Sequence, residues 1–261
     1  MIRNTAVTVC GPLNVNKLGV TYVHEHLMVK PQLPDEYYIP YTLDDEAAST
    51  EETRSFSAAG GETLVEMTPI NYGRNVKAYQ RIAQATGVHV ICCTGFHKPL
   101  FMPPWFGDKT DGELYDILMD EVTNGLDDTE IHPGVIKLGT SFEEVTAAEK
   151  RSIEAVARVH RDTGIPISTH CDKGTMGMDQ LRLLEKHGVD PKNVLLCHID
   201  SKMDTDYAIR LCREGATICL DHVGRELQDR DGNGAGGGRL RRPRDPGRRY
   251  GQEELSACLR R

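Results

Sequence analysis

Short runs rich in Val, Ile, Leu and Thr recur along most of the chain, and stretches with the wider spacing of amphipathic helices separate them. Seven runs read as strands: residues 20–29, 62–68, 88–96, 134–140, 165–170, 193–198 and 216–221. Helical segments fall between them. Thr146-Ala-Ala-Glu149 is a capping box that opens a helix to about Asp162, which Gly164 and Pro166 end. Met178 to His187 carries Leu181 and Leu184 on one face and stops at Gly188, and Asp204 opens a further helix to Gly215. Segments 44–59, 73–86 and 111–126 fill the earlier positions. Strand followed by helix, repeated, predicts a parallel sheet covered by helices. At 261 residues the expected architecture is an α/β TIM-type (β/α)8 barrel, here with seven units and lacking its eighth strand. Residues 97–110, with Pro99, Pro103, Pro104, Trp105 and Gly107, form the loop after the third of these strands, where such a barrel builds an active-site wall.

The pattern breaks after residue 228. From Asp229 to Arg261 there are nine arginines against five acids, seven glycines, and no Val, Ile or Phe. So few strand formers cannot make a buried parallel strand. Two regions are therefore expected: a barrel of seven strand-helix units over 1–228 and an irregular Gly/Arg-rich tail over 229–261, with a reading-frame change as the sharper explanation of the tail. Sequencing the gene and finding no alternative frame that restores a strand would remove that explanation.

Composition narrows the setting. A formal net charge of −8 argues against general nucleic-acid binding. No apolar run approaches a membrane span, and Met1 to Leu13 lacks the form of a secretory signal, so cytoplasm is the expected location. The eight cysteines include no Cys-x-x-Cys pair and sit mostly in apolar runs, which suits reduced buried thiols. The expected partner is a small-molecule substrate; a homodimer is compatible with the sequence.

The candidate chemistry begins at Val23-His-Glu-His26. In a strand, residues two apart share a face, so His24 and His26 point together, and two converging imidazoles suit a metal. His170 and His198 each close a strand, at the end where a parallel barrel gathers its catalytic side chains. Lys137 lies inside the apolar run Val135-Ile-Lys-Leu138, where a protonated amine is costly to bury. Its place calls for a partner, a lowered pKa or chemical modification.

Together with Gly134-Val-Ile-Lys137, Ser168-Thr-His170-Cys171 and Leu196-Cys-His198-Ile-Asp200-Ser-Lys202, these residues resemble the phosphotriesterase-related family of the amidohydrolase superfamily. The resemblance covers roughly residues 14–228. It implies that His24 and His26 hold the more buried of two divalent ions, that Lys137 as a carbamate bridges both, and that His170 and His198 hold the more exposed one. It further implies a hydroxide between the ions that opens an ester, lactone or phosphoester. Zinc is the favoured metal, with manganese, cobalt and iron also compatible. The family's remaining ligand, an aspartate ending the eighth strand, has no match here, since Asp221 and Asp231 come too early or in the wrong context.

Lys202 and Arg225 follow the sixth and seventh strands and place two cations at the mouth, where they could grip a substrate phosphate. Members carrying these runs look like lactonases for phosphorylated sugar lactones, the reading preferred over organophosphate hydrolysis. Two other classes stand against it. A metal-dependent nuclease fits poorly with Lys137 and the acidic charge, and an inactive truncated barrel would bind metal without turnover.

Overall fold

The computed structural model describes residues 4–31 and 42–221. Arg225 and the Gly/Arg-rich 229–261 region lie outside the described residues, as does any strand after residue 221. Nine strands and six α-helices are described: β1 Thr5–Thr8, β2 Gly11–Asn14, β3 Thr21–Glu25, α1 Glu46–Ala58, β4 Thr63–Glu66, α2 Val76–Thr86, β5 His89–Gly95, α3 Asp111–Asn124, β6 Val135–Thr140, α4 Ala147–Thr163, β7 Ile167–Cys171, α5 Gly177–Lys186, β8 Val194–Cys197, α6 Thr205–Arg213 and β9 Thr217–Ile218. From β3 to β9 every strand pairs in parallel with the next, in sequence order. These seven are the seven expected runs, six of them shortened and the fifth shifted to end at Cys171.

The sheet curls. Rings of His24 on the edge strand β3 and His198 just past β8, the next to last strand, have centroids 4.6 Å apart, so side chains from opposite sides of the described sheet meet. With helices outside and side chains converging inside, this is the TIM-type α/β architecture. Both faces are covered, which is why all six residues of β6 are buried.

The helices start where the side chains can satisfy their free N–H groups. Thr110 with Glu113 and Thr146 with Glu149 form complete capping boxes, and Asp45, Asn75 and Asp204 cap α1, α2 and α6. Ile153, Val156, Leu181, Leu184 and Leu211 lie along the inner faces of α4, α5 and α6 and form one core with Ile136, Leu138 and Leu196 of the sheet. A second core joins Tyr79 and Ile82 of α2 to Leu64, Val90 and Cys92.

The hairpin β1–β2 is an element that the pattern of the sequence did not announce. It lies under the barrel: the Val9 N–H donates to the Val90 carbonyl at 2.8 Å, near the start of β5. Val9 is buried there, so the hairpin packs at the N-terminal end of the sheet, opposite the histidines.

Candidate metal centre

Five imidazoles run in a continuous row at the C-terminal ends of the strands. Ring centroids are 5.4 Å apart for His26 and His24, 4.6 Å for His24 and His198, 4.6 Å for His198 and His170, and 4.5 Å for His170 and His97. All four histidines expected from the sequence are thus brought together. Lys137 joins them: it is fully buried, and its Nζ lies 3.1 Å from His24 Nε2. The lysine does not snorkel its amine out between the helices.

The local backbone explains the convergence. Gly95 ends β5 at φ +118, and a Cβ there would stand 2.0 Å from the Lys137 carbonyl oxygen; a glycine lets β5 and β6 close together at the level of the lysine. His198 adopts φ 66, a left-handed conformation unusual outside glycine, which ends β8. Its backbone N–H donates to Asp221 Oδ1 at 3.1 Å, and the same oxygen lies 3.0 Å from its ring Nδ1. With Nδ1–H donating to that carboxylate, Nε2 keeps its lone pair. Asp221 therefore stands at the mouth just beyond the seventh parallel strand, in a position that the sequence alone had set aside.

His26 is oriented in a similar way. Its Nδ1 lies 2.8 Å from Thr68 Oγ1, and the Thr68 hydroxyl is 2.6 Å from Glu66 Oε1, to which it donates. Glu66 is fully buried and also accepts the Leu27 N–H at 3.1 Å and the Thr68 N–H at 3.0 Å. Burial pushes its carboxyl up to about 7 despite those three donors. A glutamate inside Thr63-Leu-Val-Glu66 carries the same signal as Lys137, a charge in an apolar strand, and could have been found by it.

His97 is a further residue that the motif reading missed. Its Nδ1 accepts the Lys98 N–H at 2.7 Å, so the ring proton sits on Nε2, and its face packs on Tyr72 and Phe101. Phe101 belongs to the loop expected to wall the site.

The electrostatics favour cation binding. Burial, aided by nearby positive groups, pushes His24, His26, His97 and His170 well below the ordinary imidazole value, so all four are neutral; His24, His26 and His170 keep a lone pair for a cation, while that of His97 accepts the Lys98 N–H. Burial also lowers the Lys137 ammonium, favouring the free amine. His24 Nδ1 and His170 Nε2 are enclosed without a hydrogen-bond partner. Unpartnered buried imidazole nitrogens and neutral donors converging from several strands fit a divalent metal.

The rim is less simple. Lys202 Nζ sits 3.8 Å from Asp204 Oδ2 and 3.9 Å from the centre of the Tyr207 ring, so its charge is engaged by neighbours on its own loop and helix. Lys98 pairs with Asp172 at 2.5 Å, joining the loops after β5 and β7. Seven cysteines lie among the described residues and all are free thiols.

Residues 4–234 match the model of the phosphotriesterase family. A phospho-furanose lactonase from Mycoplasmopsis synoviae is 31% identical over 238 residues, covering 85% of this chain and 67% of that protein. Among solved structures, a lactonase from Listeria monocytogenes superposes with a TM-score of 0.81 at 29% identity, covering 84% of this chain and 73% of the other. The Escherichia coli phosphotriesterase homology protein, complexed with phosphate in its active site, gives a TM-score of 0.76 at 33% identity over 80% and 72% of the two chains.

The fold and the ring of imidazoles thus define a barrel hydrolase of the binuclear-metal type. This chain belongs to the phosphotriesterase family, whose members cleave lactones and phosphoesters with a pair of divalent ions.

Proposed function

We propose that this chain hydrolyses a phosphorylated sugar lactone, using a divalent metal pair held by His24, His26, Lys137, His170 and His198. The observation that carries the reading is Lys137: a fully buried amine, 3.1 Å from His24 Nε2, inside a row of neutral histidines. Burial favours the free form of such an amine, which would add to carbon dioxide with loss of one proton to give a carbamate. His24 and His26 would hold the deeper ion, His170 and His198 the outer one, and Lys137 as a carbamate would serve both. Zinc suits these nitrogen and oxygen donors. When bound, the metal pair supplies Lewis acidity and an activated water.

The protein's own groups do the positioning. Asp221 holds the His198 ring by its Nδ1, and Thr68 backed by Glu66 holds His26. His97 and Phe101 form an apolar and aromatic wall that excludes bulk water from one side. Lys202 stands at the rim as the proposed phosphate contact, released from Asp204 when substrate arrives; Arg225, proposed for the same task, lies outside the described residues. Support for a phosphorylated lactone comes from the lactonase relatives and from the phosphate in the active site of the Escherichia coli protein. The free thiols fit a reducing compartment such as the cytoplasm.

The test is hydrolysis by the zinc-loaded chain of a sugar lactone with and without its phosphate, beside an aryl dialkyl phosphate. A phosphate contact of about 1.5–3 kcal/mol gives the phosphorylated lactone roughly a ten- to hundredfold advantage in kcat/KM. Faster turnover of the triester would favour organophosphate hydrolysis instead. Metal uptake without turnover of any of the three would leave an inactive metal-binding barrel.

A further inference from the structure

We propose that Cys197 adds a thiolate to the more buried ion of the pair, making this a mixed nitrogen, oxygen and sulfur site that prefers thiophilic cations. The proposal rests on the binuclear reading above and concerns a residue outside its ligand set.

Cys197 is the last residue of β8 and stands in register with His170 on β7. Partners in a parallel pair project to the same side, so both side chains face the barrel interior. Ser168, two residues before His170 on the same face, confirms the direction, since its Oγ lies 3.5 Å from Cys197 Sγ. A ring nitrogen of His24, the sulfur of Cys197 and a carboxylate oxygen of Asp221 all lie within 4.8 Å of one another. Donors of one tetrahedral zinc, with bonds of roughly 2.0–2.1 Å to nitrogen and 2.3 Å to sulfur, are themselves about 3.6 Å apart. The cluster would have to contract by up to about 1.2 Å to share an ion, and its members are side chains at strand ends.

The second observation is independent of the cysteine. His24 is only 8% exposed, yet its Nδ1 has no hydrogen-bond partner. A buried nitrogen without a partner is costly unless a ligand meets it. Imidazole nitrogens and carbamate oxygens alone suit several divalent metals. A thiolate in the set shifts the preference to zinc, cobalt and cadmium over manganese and magnesium. The step balances simply: the cysteine S–H bond breaks, sulfur binds the cation, and one proton leaves to solvent. No oxidant takes part.

X-ray absorption at the zinc edge of the whole, zinc-loaded chain tests this directly. One sulfur neighbour at about 2.3 Å is expected, shared over two zinc ions per chain. Cys197→Ser removes that sulfur shell while two ions remain bound, whereas Cys219→Ser, which alters the neighbouring thiol, keeps it. The same Cys197 variant lowers cadmium affinity by about tenfold or more and leaves manganese nearly unchanged. If the serine variant fails to fold, Cys197→Ala serves, and with cobalt the thiolate charge-transfer band of the parent protein must vanish in it. Two zinc ions held by nitrogen and oxygen alone would overturn the proposal and leave the binuclear reading standing. A chain that binds no zinc would overturn both.

Discussion

Thr68 offers the most informative single substitution, because it stands between a buried acid and a histidine of the proposed centre. Its hydroxyl takes the His26 Nδ1–H at 2.8 Å and gives its own proton to Glu66 at 2.6 Å. Thr68→Val keeps the shape and removes both bonds. His26 then loses what fixes its tautomer and ring angle, and Glu66 drops from three donors to the two backbone N–H groups. A buried polar group left unpaired costs about 1–3 kcal/mol, so the metal-free protein should lose stability on that order. Loss of an outer hydrogen bond to a ligating histidine typically weakens metal binding by roughly 10- to 100-fold, or about 1.4–2.8 kcal/mol. Denaturant unfolding of the metal-free chain and zinc titration against a competing chelator read the two effects separately. Thr68→Ser, which restores the hydroxyl, should recover most of both. Zinc affinity within twofold of the parent in Thr68→Val would refute the claim that this hydroxyl orients a metal-binding histidine.

Other outcomes follow from the same geometry. Lys137→Ala should bind the outer ion more weakly than the inner one, with short carboxylates partly restoring it; unchanged metal stoichiometry would remove the bridging role. Glu66 has a folded pKa near 7, above its unfolded value of 4.5, so its contribution to stability is complete below about pH 4.5 and is lost as pH rises through 7. The cost of ionising it at pH 8 is about 3 kcal/mol, and Glu66→Gln should flatten the fall in unfolding free energy between pH 5 and 8; an identical slope in both proteins would contradict this. Lys202→Ala should lower kcat/KM on a phosphorylated lactone by about tenfold or more and leave the unphosphorylated lactone unaffected, while equal losses on both would mark a structural role.

Much of this arrangement could be read from the residues in order. The strand-helix alternation and the paired turn signals of Gly164 and Gly188 located the described barrel units, because local periodicity and capping act over a few residues. His24, His26, Lys137, His170 and His198 were legible since each stands at or inside an apolar strand, where a polar side chain needs a reason. Glu66 and His97 obeyed the same rule and were passed over because neither belongs to a spaced motif. The β1–β2 hairpin escaped because Thr5-Ala-Val-Thr8 and Gly11-Pro-Leu-Asn14 are short, and its stability comes from docking Val9 under β5, a contact 81 residues away in sequence. The contact of Asp221 with His198 was not legible for a related reason. It depends on curling the sheet until β9 delivers the aspartate to His198, and no local pattern reports a closure between strands.

No helix among the described residues is long and apolar enough to cross a membrane. The most direct test of the account is anomalous diffraction from crystals of the zinc-loaded chain, recorded on both sides of the zinc edge. Two peaks about 3.5–4 Å apart are expected, one beside His24 and His26 and the other beside His170 and His198, with extra density extending from Lys137 Nζ between them. A single peak, or peaks away from these five side chains, would contradict it.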